Sequence, residues 1–460
     1  MADSPVSFGT DGWRASGDGF TTDRVRAIGR AVATHLDEGG PVGPVAVGYD
    51  ARERSRAAAT ALTDTLTAVE HDVTLADRDC PTPTLAWTVA TGSYAGGLMV
   101  TASHNPAGYN GVKILTAEGM PALPATTDAL ERRLAAQTSD PPDPPAETTG
   151  QVEERNLGEP YVEHLLDSVG VDLSGLTVAY DAMHGSGRAV TDSALERGGA
   201  TVRRHRCSRD PSFGGVAPEP GPDTADAVRT QVEEGDSDLG LLNDGDADRV
   251  GVVTAGRGYL DANLLLAVLY EFLIERGDAG AAVRTVATSS LVDQVASAAG
   301  RSVHETPVGF KWVAEAMVEH GALVGGEESG GYGLTRHLPN KDGVLVALLA
   351  CAAHRERPLD DRIAGLLATH GPVHQGRESV AADPGAKSAA VTTLRADPPD
   401  SIAGSAVTDV STVDGVKFTL ADGSWLLVRP SGTEPKLRLY AEADAAGRVE
   451  DLLAAGRDLL

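Results

Sequence analysis

The chain has 460 residues and a formal net charge of −27, from 39 Lys and Arg residues against 66 Asp and Glu residues. At roughly 100–200 residues per domain this length predicts three or four domains, and an apolar content of 41% excludes a wholly disordered chain. Because such an acidic surface repels phosphate backbones and anionic lipids, we expect neither a nucleic-acid nor a membrane partner.

Strand and helix signals alternate along the first 135 residues. A short apolar run predicts a strand over Pro44–Tyr49, and helical spacing predicts a helix over Ser55–Ala68. Further strands are predicted over Asp72–Leu75 and Gly96–Thr101. This alternation is typical of a mainly parallel sheet with helices on both faces. Four prolines without periodicity then predict a linker at residues 138–150.

The same pattern restarts twice beyond the linker. In the second stretch we predict strands over Leu176–Tyr180, Asp238–Leu242 and Val250–Thr254. In the third stretch, where Asp261 is a helix N-cap candidate, we predict helices over Asn263–Ile274 and Lys341–His354 and strands over Thr285–Ser289 and Leu323–Gly325.

After about residue 370 the pattern changes to antiparallel strands. Val413–Val428 indicates a hairpin around an Asp422-Gly423 turn, and Leu437–Glu442 indicates a further strand. The sequence therefore predicts an α/β protein with three similar mixed-sheet domains and a smaller C-terminal α+β domain. The expected boundaries are residues 1–145, 150–254, 255–370 and 371–460.

Three carboxylates, Asp244, Asp246 and Asp248, alternate with small residues directly after a predicted strand. Extended backbone would point all three to one side, whereas a turn could wrap them around an ion. Hard divalent cations such as Mg²⁺ prefer oxygen ligands of this kind. The calcium helix–loop–helix pattern is excluded, because Arg249 and Ala255 stand where it needs Gly and Glu. The alternative without a metal is a solvated acidic turn.

The segment TASHNP, residues 101–106, ends an apolar strand at the place where α/β sheets usually bind ligands. Ser103 could act as a nucleophile, but the adjacent His104 need not face it. The G-x-S-x-G elbow of hydrolases is absent from this segment, so a hydrolytic triad is unsupported. A plain Ser/Asn/Pro turn is the alternative.

Two later loops suit anionic or hydroxylated ligands. RPSGTEPK, from Arg429 to Lys436, combines two cations, two hydroxyls and a glycine that exposes backbone N–H groups, as a phosphate would require. GGEESGG, residues 325–331, pairs Glu327 with Ser329, and such a pair can bind adjacent sugar hydroxyls. Taken alone, each loop could equally be an ordinary surface turn.

Three shorter stretches carry less information. FGTDGWR near the start offers Arg14 as a phosphate partner, and TPVGFKW offers Lys311 at a predicted helix start. HGSG, residues 184–187, follows a strand but lacks the third glycine of a dinucleotide loop, so it predicts a strand-to-helix turn.

Taken in order, FGTDGWR, TASHNP, YNGVK, DGDADR, TPVGFKW, GGEESGG and RPSGTEPK resemble the α-D-phosphohexomutases, which include phosphoglucomutase and phosphomannomutase. The motifs span nearly the whole chain, and the joint occurrence of TASHNP, DGDADR and RPSGTEP is specific. The resemblance implies four domains around a central cleft. It also implies a Mg²⁺-dependent mutase that interconverts hexose 1-phosphate and hexose 6-phosphate, with hexose 1,6-bisphosphate as intermediate and activator.

The resemblance also implies roles for particular residues. Ser103 would carry the phosphate and would join Asp244, Asp246 and Asp248 as a ligand of Mg²⁺. The cationic and acid/base side chains near the reacting phosphate would be Arg14, His104, Lys113, Arg249 and Lys311. Substrate binding would use Glu327 and Ser329 at the sugar hydroxyls and Arg429, Ser431, Gly432 and Thr433 at the phosphate that does not react.

The preferred sugar depends on finer details. Some phosphomannomutase-type members end the sugar loop in histidine, as GEMSGH, where this chain has Gly331. That difference and the Lys311 form of TPVGFKW favour glucose, with mannose possible. A phosphoglucosamine mutase is the alternative within the family, and a metal-dependent sugar-phosphate phosphatase or a sugar-phosphate sensor is the alternative outside it. Neither of the last two needs Ser103, the three aspartates and RPSGTEPK together.

Lysine and cysteine are both scarce, and their positions indicate functional segments and the cellular compartment. The six lysines are Lys113, Lys311, Lys341, Lys387, Lys417 and Lys436, and three of them lie inside the motifs. Three cysteines far apart in sequence, Cys80, Cys207 and Cys351, exclude a disulfide framework and fit a reducing cytosol. We therefore expect a cytoplasmic protein, and the sequence leaves its oligomeric state open.

The acidic, lysine-poor composition is typical of proteins in a cytosol of concentrated salt, because screening removes the repulsion between like charges. We expect the free energy of unfolding to rise steeply from low to molar KCl. Denaturant unfolding at a series of salt concentrations measures this, and full stability at low ionic strength would contradict the halophilic interpretation.

Overall fold

The computed structural model describes residues 6–9, 11–137, 150–170, 172–432 and 434–460. The chain divides into two compact units, residues 1–262 with 329–360 and residues 263–328 with 361–460. The predicted linker at 138–150 lies outside the described residues except for Gly150. Among the helices in the described ranges, none combines the length and apolar character that a membrane crossing requires.

The first unit begins with a six-stranded sheet. Its strands are β1 (Trp13–Ser16), β2 (Val45–Tyr49), β3 (Val73–Ala76), β4 (Gly96–Val100), β5 (Tyr109–Leu115) and β6 (Val152–Arg155), and its helices are α1 (Thr22–Asp37), α2 (Ser55–Thr67), α3 (Thr82–Thr91) and α4 (Pro124–Ala136). The strand order is β1-β5-β4-β2-β3-β6. Only β5 runs opposite to the others, since β1 and β4 both pair antiparallel with it and the remaining pairs are parallel. β2 and β4 are entirely buried, which explains their unbroken apolar sequences.

A second sheet follows in the same unit. It contains β7 (Thr177–Asp181), β8 (Thr201–His205), β9 (Leu239–Asn243), β10 (Val250–Thr254) and β11 (Gly258–Tyr259), with helices α5 (Gly158–Val169), α6 (Thr191–Arg197) and α7 (Asp226–Glu233). The order is β11-β10-β9-β7-β8. β9 and β10 pair antiparallel with Val250 opposite Asn243, so residues 244–249 form a tight turn between them.

The second unit starts with a parallel layer. Its elements are α8 (Ala262–Glu275), β12 (Ala282–Thr285), α9 (Leu291–Ala298), β13 (Val303–Thr306), α10 (Phe310–Glu319) and β14 (Val324–Gly326). β12 lies between β13 and β14 and is parallel to both. The chain then returns to the first unit with β15 (Tyr332–Leu334) and α11 (Gly343–Glu356).

One strand prediction in this layer is wrong. The strand expected over Thr285–Ser289 ends at Thr285, where the chain turns. Side chains take the place of the strand ladder there. Thr285 Oγ1 accepts a hydrogen bond from Ala287 N at 3.3 Å, and Asn263 Oδ1 accepts one from Ser289 N at 3.0 Å. Such local side-chain bonds compete with sheet formation.

The C-terminal part of the second unit is antiparallel. It contains α12 (Leu359–His370), β16 (His374–Ala381), α13 (Pro384–Ala396), β17 (Ser401–Ile402), β18 (Ser405–Ser411), β19 (Val416–Leu420), β20 (Trp425–Pro430), β21 (Lys436–Ala443) and α14 (Ala446–Asp458). The order is β16-β21-β20-β19-β18-β17, with every neighbouring pair antiparallel. The predicted hairpin turns at Gly423, where φ is 84°. The predicted fold class, three α/β layers and an antiparallel α+β domain, is confirmed.

Candidate active site

Ser103 lies just beyond the carboxyl end of β4, and it is completely buried. Its backbone is left-handed, with φ of 50°, a conformation that residues other than glycine rarely adopt. Ser103 Oγ donates a hydrogen bond to Asp244 Oδ2 at 2.7 Å and lies 3.3 Å from His104 Nδ1. The neighbouring serine and histidine side chains therefore do face each other.

The three predicted metal ligands lie in the turn between β9 and β10, and Asp244, Asp246 and Asp248 are fully buried. Of the two backbone alternatives, the turn is correct and the extended form is wrong, since Ala247 has a φ of 54°. Gly245 lets the turn approach the serine loop, because a Cβ there would lie 2.6 Å from the Ser103 carbonyl oxygen.

The aspartate turn fits a hard divalent cation. One ligand atom from each of the three carboxylates lies within 4.8 Å of the others. Asp246 Oδ1 and Asp248 Oδ1 are buried without a hydrogen-bond partner among the described residues. Buried, unpaired carboxylate oxygens are costly unless a cation or another donor satisfies them. Because the cluster is buried, the alternative of a solvated acidic turn is excluded.

Two buried lysines balance part of this charge. Lys113 Nζ donates to Asp246 Oδ2 at 2.8 Å and to Asp248 Oδ2 at 2.7 Å, and it lies 3.0 Å from Asp11 Oδ2. Lys341 Nζ lies 2.9 Å from Asp248 Oδ2 and 3.2 Å from Asp11 Oδ2. Neither Asp11 nor Lys341 was predicted as a site residue. The available signals were the position of Asp11 inside FGTDGWR and the rarity of lysine.

Burial and charge set the protonation of the site. Burial, reinforced by the charge of Asp246, raises the pKa of Asp244 well above its ordinary value. Burial acts in the same direction on Asp246, but the charge and hydrogen bond of Lys113, the hydrogen bond of Thr82 and the charge of Lys341 together lower the pKa of that carboxyl. The positive charge of Arg249, together with burial, lowers the pKa of His104, so the imidazole is neutral near pH 7.

The two predicted arginines adjoin the serine loop and the aspartate turn. Arg14 Nη1 donates to Asn105 Oδ1 at 2.8 Å. Arg249 ends the aspartate turn, where its backbone N–H donates to Asp244 Oδ1 at 3.1 Å, and its guanidinium lies 3.6 Å from Glu219. Both can add positive charge beside Ser103.

Ser329 belongs to the first unit and is half-buried. The residues after it run beside the aspartate turn, because Val250 N donates to Gly330 O at 3.3 Å and Gly331 forms a β-bridge with Arg249. The end of the predicted sugar loop is therefore anchored next to the predicted metal ligands.

Glu327 and Lys311 lie in the second unit, where their two loops are in contact. Glu327 Oε1 accepts a hydrogen bond from Gly309 N at 3.1 Å, directly before α10. Lys311 is in the first turn of α10, as predicted, and its Nζ lies 5.5 Å from the centroid of the Trp312 ring. The residues directly before α10 and the part of GGEESGG up to Glu328 thus adjoin each other in the second unit.

The predicted phosphate loop connects β20 and β21. Arg429 Nε donates to Asp414 Oδ2 at 2.5 Å, which fixes the guanidinium at the end of β20. Within the described part of the chain, no atom outside the adjoining residues lies within 4 Å of the place where a Cβ on Gly432 would sit, so a ligand can approach its backbone. Thr433 lies outside the described residues.

A lysine on α13 holds this loop from behind. Lys387 Nζ donates to the carbonyl oxygens of Ser431 and Glu434 at 2.8 and 2.9 Å. Glu434 N in turn donates to Ser431 Oγ at 3.2 Å. Lys387 stands 42 residues before Arg429 in sequence, and no local pattern pointed to it.

Comparison with known proteins agrees with the motifs. Four family models, described as phosphoglucomutase/phosphomannomutase alpha/beta/alpha domains I, II and III and C-terminal domain, match residues 5–140, 159–258, 261–370 and 372–459. Together they account for nearly the whole chain.

Individual relatives match from end to end. A provisionally named phosphoglucosamine mutase of Methanopyrus kandleri is 34% identical over 453 residues, covering 97% of this chain and 95% of the relative. A phosphoglucomutase/phosphomannomutase of Thermococcus kodakarensis is 28% identical over 98% of both chains. A crystal structure from Thermus thermophilus, provisionally named a phosphomannomutase, has a TM-score of 0.85 and 32% identity over 99% of both chains. The resemblance is confirmed, and the chain belongs to the phosphoglucomutase/phosphomannomutase family of α-D-phosphohexomutases, which are intramolecular phosphotransferases acting on sugar phosphates.

Proposed function

We propose that the protein interconverts hexose 1-phosphate and hexose 6-phosphate, with Ser103 as the phosphorylated residue and hexose 1,6-bisphosphate as intermediate and activator. The observation that carries the proposal is the buried 2.7 Å contact of Ser103 Oγ with Asp244 Oδ2, beside two further aspartates that bind Lys113. A metal-dependent phosphatase would use the same aspartates, but it would release phosphate to water instead of returning it to the sugar.

The surroundings of Ser103 suit phosphoryl transfer. A serine hydroxyl is a weak nucleophile unless a neighbour takes its proton. His104 Nδ1, neutral and 3.3 Å from Oγ, is placed to hold that proton as Oγ attacks. We propose that Arg14, Lys113 and Arg249 neutralise charge on the equatorial oxygens of the phosphoryl group during its transfer.

We propose Mg²⁺ as the cation of the aspartate turn, held by Asp244, Asp246 and Asp248 with an oxygen of phosphorylated Ser103. When bound, it supplies charge neutralisation and orientation for the transferred phosphoryl group. The buried, unpaired oxygens of Asp246 and Asp248 support this choice.

The remaining predicted residues are proposed substrate contacts. Glu327 and Ser329 bind sugar hydroxyls, and Lys311 acts as an acid/base group. Arg429, Ser431, Gly432 and Thr433 bind the phosphate that is not transferred. The motifs support these roles, as does the loop surface formed by Glu327 with the start of α10. We also propose the four domains 1–145, 150–254, 255–370 and 371–460, which the family-model matches support.

We propose glucose as the preferred hexose, because GEESGG and TPVGFKW have the phosphoglucomutase form. Glucosamine is the second candidate, since relatives of 33–34% identity carry the name phosphoglucosamine mutase. Parallel kcat/KM measurements on the 1-phosphates of glucose, glucosamine and mannose, with Mg²⁺ and the matching bisphosphate, test the proposal. A higher kcat/KM on glucosamine 1-phosphate would overturn the glucose assignment, and release of inorganic phosphate instead of isomerisation would overturn the mutase.

Replacing Arg429 by alanine should weaken substrate binding more than turnover. The proposed phosphate contact exists in both ground and transition states, so its loss raises KM and leaves kcat nearly unchanged. Loss of charge-assisted hydrogen bonds of roughly 1.5–3 kcal/mol corresponds to a KM higher by about 10- to 100-fold. Steady-state kinetics measure the split, with Arg457→Ala on α14 as the control. A fall in kcat at unchanged KM would contradict the assignment.

A further inference from the structure

One heavily hydrogen-bonded, buried cation of the first unit lies outside every motif discussed above. Arg52 follows β2, and only 1% of its surface is exposed. A charged side chain at that depth is destabilising unless it is paired and fully hydrogen-bonded. The pairing is with Asp50, whose Oδ2 accepts a hydrogen bond from Arg52 Nε at 2.9 Å.

The other guanidinium N–H groups all bind the loop that carries Ser103. Arg52 Nη1 donates to the carbonyl oxygens of Pro106 and Tyr109 at 2.8 and 3.0 Å. Arg52 Nη2 donates to those of Ser103 and Asn105 at 2.6 and 2.7 Å. A guanidinium has five N–H donors, and Arg52 donates four of them to four carbonyl oxygens of residues 103–109.

Asp50, the carboxylate partner of Arg52, fixes the N–H side of the Ser103 backbone. Asp50 Oδ2 also accepts a hydrogen bond from Thr101 Oγ1 at 2.7 Å, and Thr101 Oγ1 accepts one from Ser103 N at 2.8 Å. The backbone N–H of Ser103 is therefore fixed through Thr101, and its carbonyl is fixed directly by Arg52. The guanidinium carbon also lies over the ring of Phe213, from the segment before α7, at 4.9 Å from the ring centroid.

Ser103, whose N–H and carbonyl are both fixed in this way, also has a strained backbone. Ser103 has a φ of 50°, a left-handed conformation that is unfavourable for residues other than glycine. The conformation directs Oγ to Asp244 and brings the carbonyl close to Gly245. Charge-assisted hydrogen bonds are about twice as strong as neutral ones, so Arg52 is well suited to maintain it.

We propose that Arg52 is a positioning residue for phosphoryl transfer, which holds the Ser103 loop in the left-handed geometry that presents Oγ at the aspartate turn. The inference rests on the proposed role of Ser103. Arg52 has no contact with a reacting atom in this assignment and acts only through the loop. A displacement of about 1 Å at a reacting group can cost on the order of 100-fold in rate, so loss of Arg52 should reduce kcat with little change in KM.

The test compares Arg52→Lys with Arg54→Lys. Arg54 stands two residues further on, packs over the Phe20 ring at 5.3 Å and donates to the carbonyl oxygens of Phe20 and Gly17 instead of those of residues 103–109. Lysine keeps the charge at either position, but one ammonium has three donors and cannot bind four carbonyls in a plane.

The decisive measurement is the first-order rate constant for phosphorylation of dephosphorylated enzyme by glucose 1,6-bisphosphate with Mg²⁺. Rapid quenching and intact mass follow the reaction, and steady-state kcat and KM are measured in parallel. For Arg52→Lys we expect a rate constant and kcat lower by about 50-fold or more, with KM within about 3-fold. For Arg54→Lys we expect all three within about 2-fold of the wild type.

A merely structural role has a different signature. It would lower the melting temperature and the fraction of molecules that become phosphorylated, but not the rate constant of the folded fraction. Should Arg52→Lys fail to fold, the isosteric Asp50→Asn variant removes the charge that orients Arg52, and about a 10-fold slower phosphorylation is expected. A wild-type rate constant in the folded fraction of the variant measured would overturn the proposal.

The wild-type reaction separates this inference from the proposed function. If the wild type is not phosphorylated by the bisphosphate and Ser103→Ala retains turnover, the proposed function fails and the role of Arg52 fails with it. If the wild type is phosphorylated on Ser103 but Arg52→Lys reacts at the same rate, only the role of Arg52 is overturned.

Discussion

Ser103→Ala should abolish turnover, with kcat lower by roughly 1,000-fold or more, because the proposed mechanism has no other group to carry the phosphoryl group between the two positions of the sugar. We expect the purified wild type to carry the added mass of one phosphate and the Ser103→Ala variant to lack it. Coupled assays of glucose 1-phosphate conversion and intact-mass spectrometry measure both effects.

Stability must be measured beside activity for this variant. The alanine removes the donor to Asp244 Oδ2, and an unsatisfied buried acceptor costs about 1–3 kcal/mol. A melting curve separates that loss from the loss of chemistry. Ser93→Ala, at an exposed position before β4, is the matched control and should behave as wild type. Near-normal turnover in Ser103→Ala would refute the phosphoserine assignment.

Asp246→Asn should lower kcat by at least about 100-fold, since it removes one of three charges proposed to hold Mg²⁺. The amide has nearly the same shape, so the variant leaves the packing of the turn largely unchanged. It replaces a carboxylate that accepts hydrogen bonds from Thr82 Oγ1 at 2.6 Å and Lys113 Nζ at 2.8 Å. We expect the Mg²⁺ concentration for half-maximal activity to rise by about 10-fold or more.

A Mg²⁺ titration of activity and a direct binding titration monitor the two parts of this prediction. Asp64→Asn, an exposed aspartate on α2, controls for the loss of one negative charge. An unchanged Mg²⁺ requirement in Asp246→Asn would mean that the aspartate turn does not hold the ion. Unchanged activity of the wild-type protein after complete removal of divalent cations would also mean that the aspartate turn does not hold the ion.

Local pattern was enough to predict most of the fold. β10 begins and ends at the predicted residues, and β2 and β9 differ from prediction by a single residue at one or both ends, because strands that are buried on both faces are unbroken apolar runs. The failure at Thr285–Ser289 has the opposite cause. The residues there favour a strand, but hydroxyl and amide side chains bend the backbone after Thr285 through contacts that depend on the tertiary structure.

The residues of the candidate site also fall into those that the sequence predicted and those that it did not. Motif chemistry was enough to select Ser103 and the three aspartates. The structure places Ser103 Oγ 2.7 Å from Asp244 Oδ2, and it brings one ligand atom of each aspartate within 4.8 Å of the others. Motif chemistry could not select Lys341, which is 330 residues from its partner Asp11, or Arg52, whose partners are backbone carbonyls of another loop. Side chains that bind main-chain atoms far away leave no periodic or spacing signal in the chain.

The distribution of lysine has a practical consequence for handling the protein. Lys113, Lys341 and Lys417 are buried, whereas Lys311, Lys387 and Lys436 are partly accessible and lie in, or hold, the proposed substrate loops. Acylating labels, aldehyde fixation and amine-coupled sensor surfaces that react with lysine should therefore attach at those loops, and should inactivate the enzyme in proportion to that coupling. Immobilisation through an engineered surface thiol or a terminal tag avoids this damage.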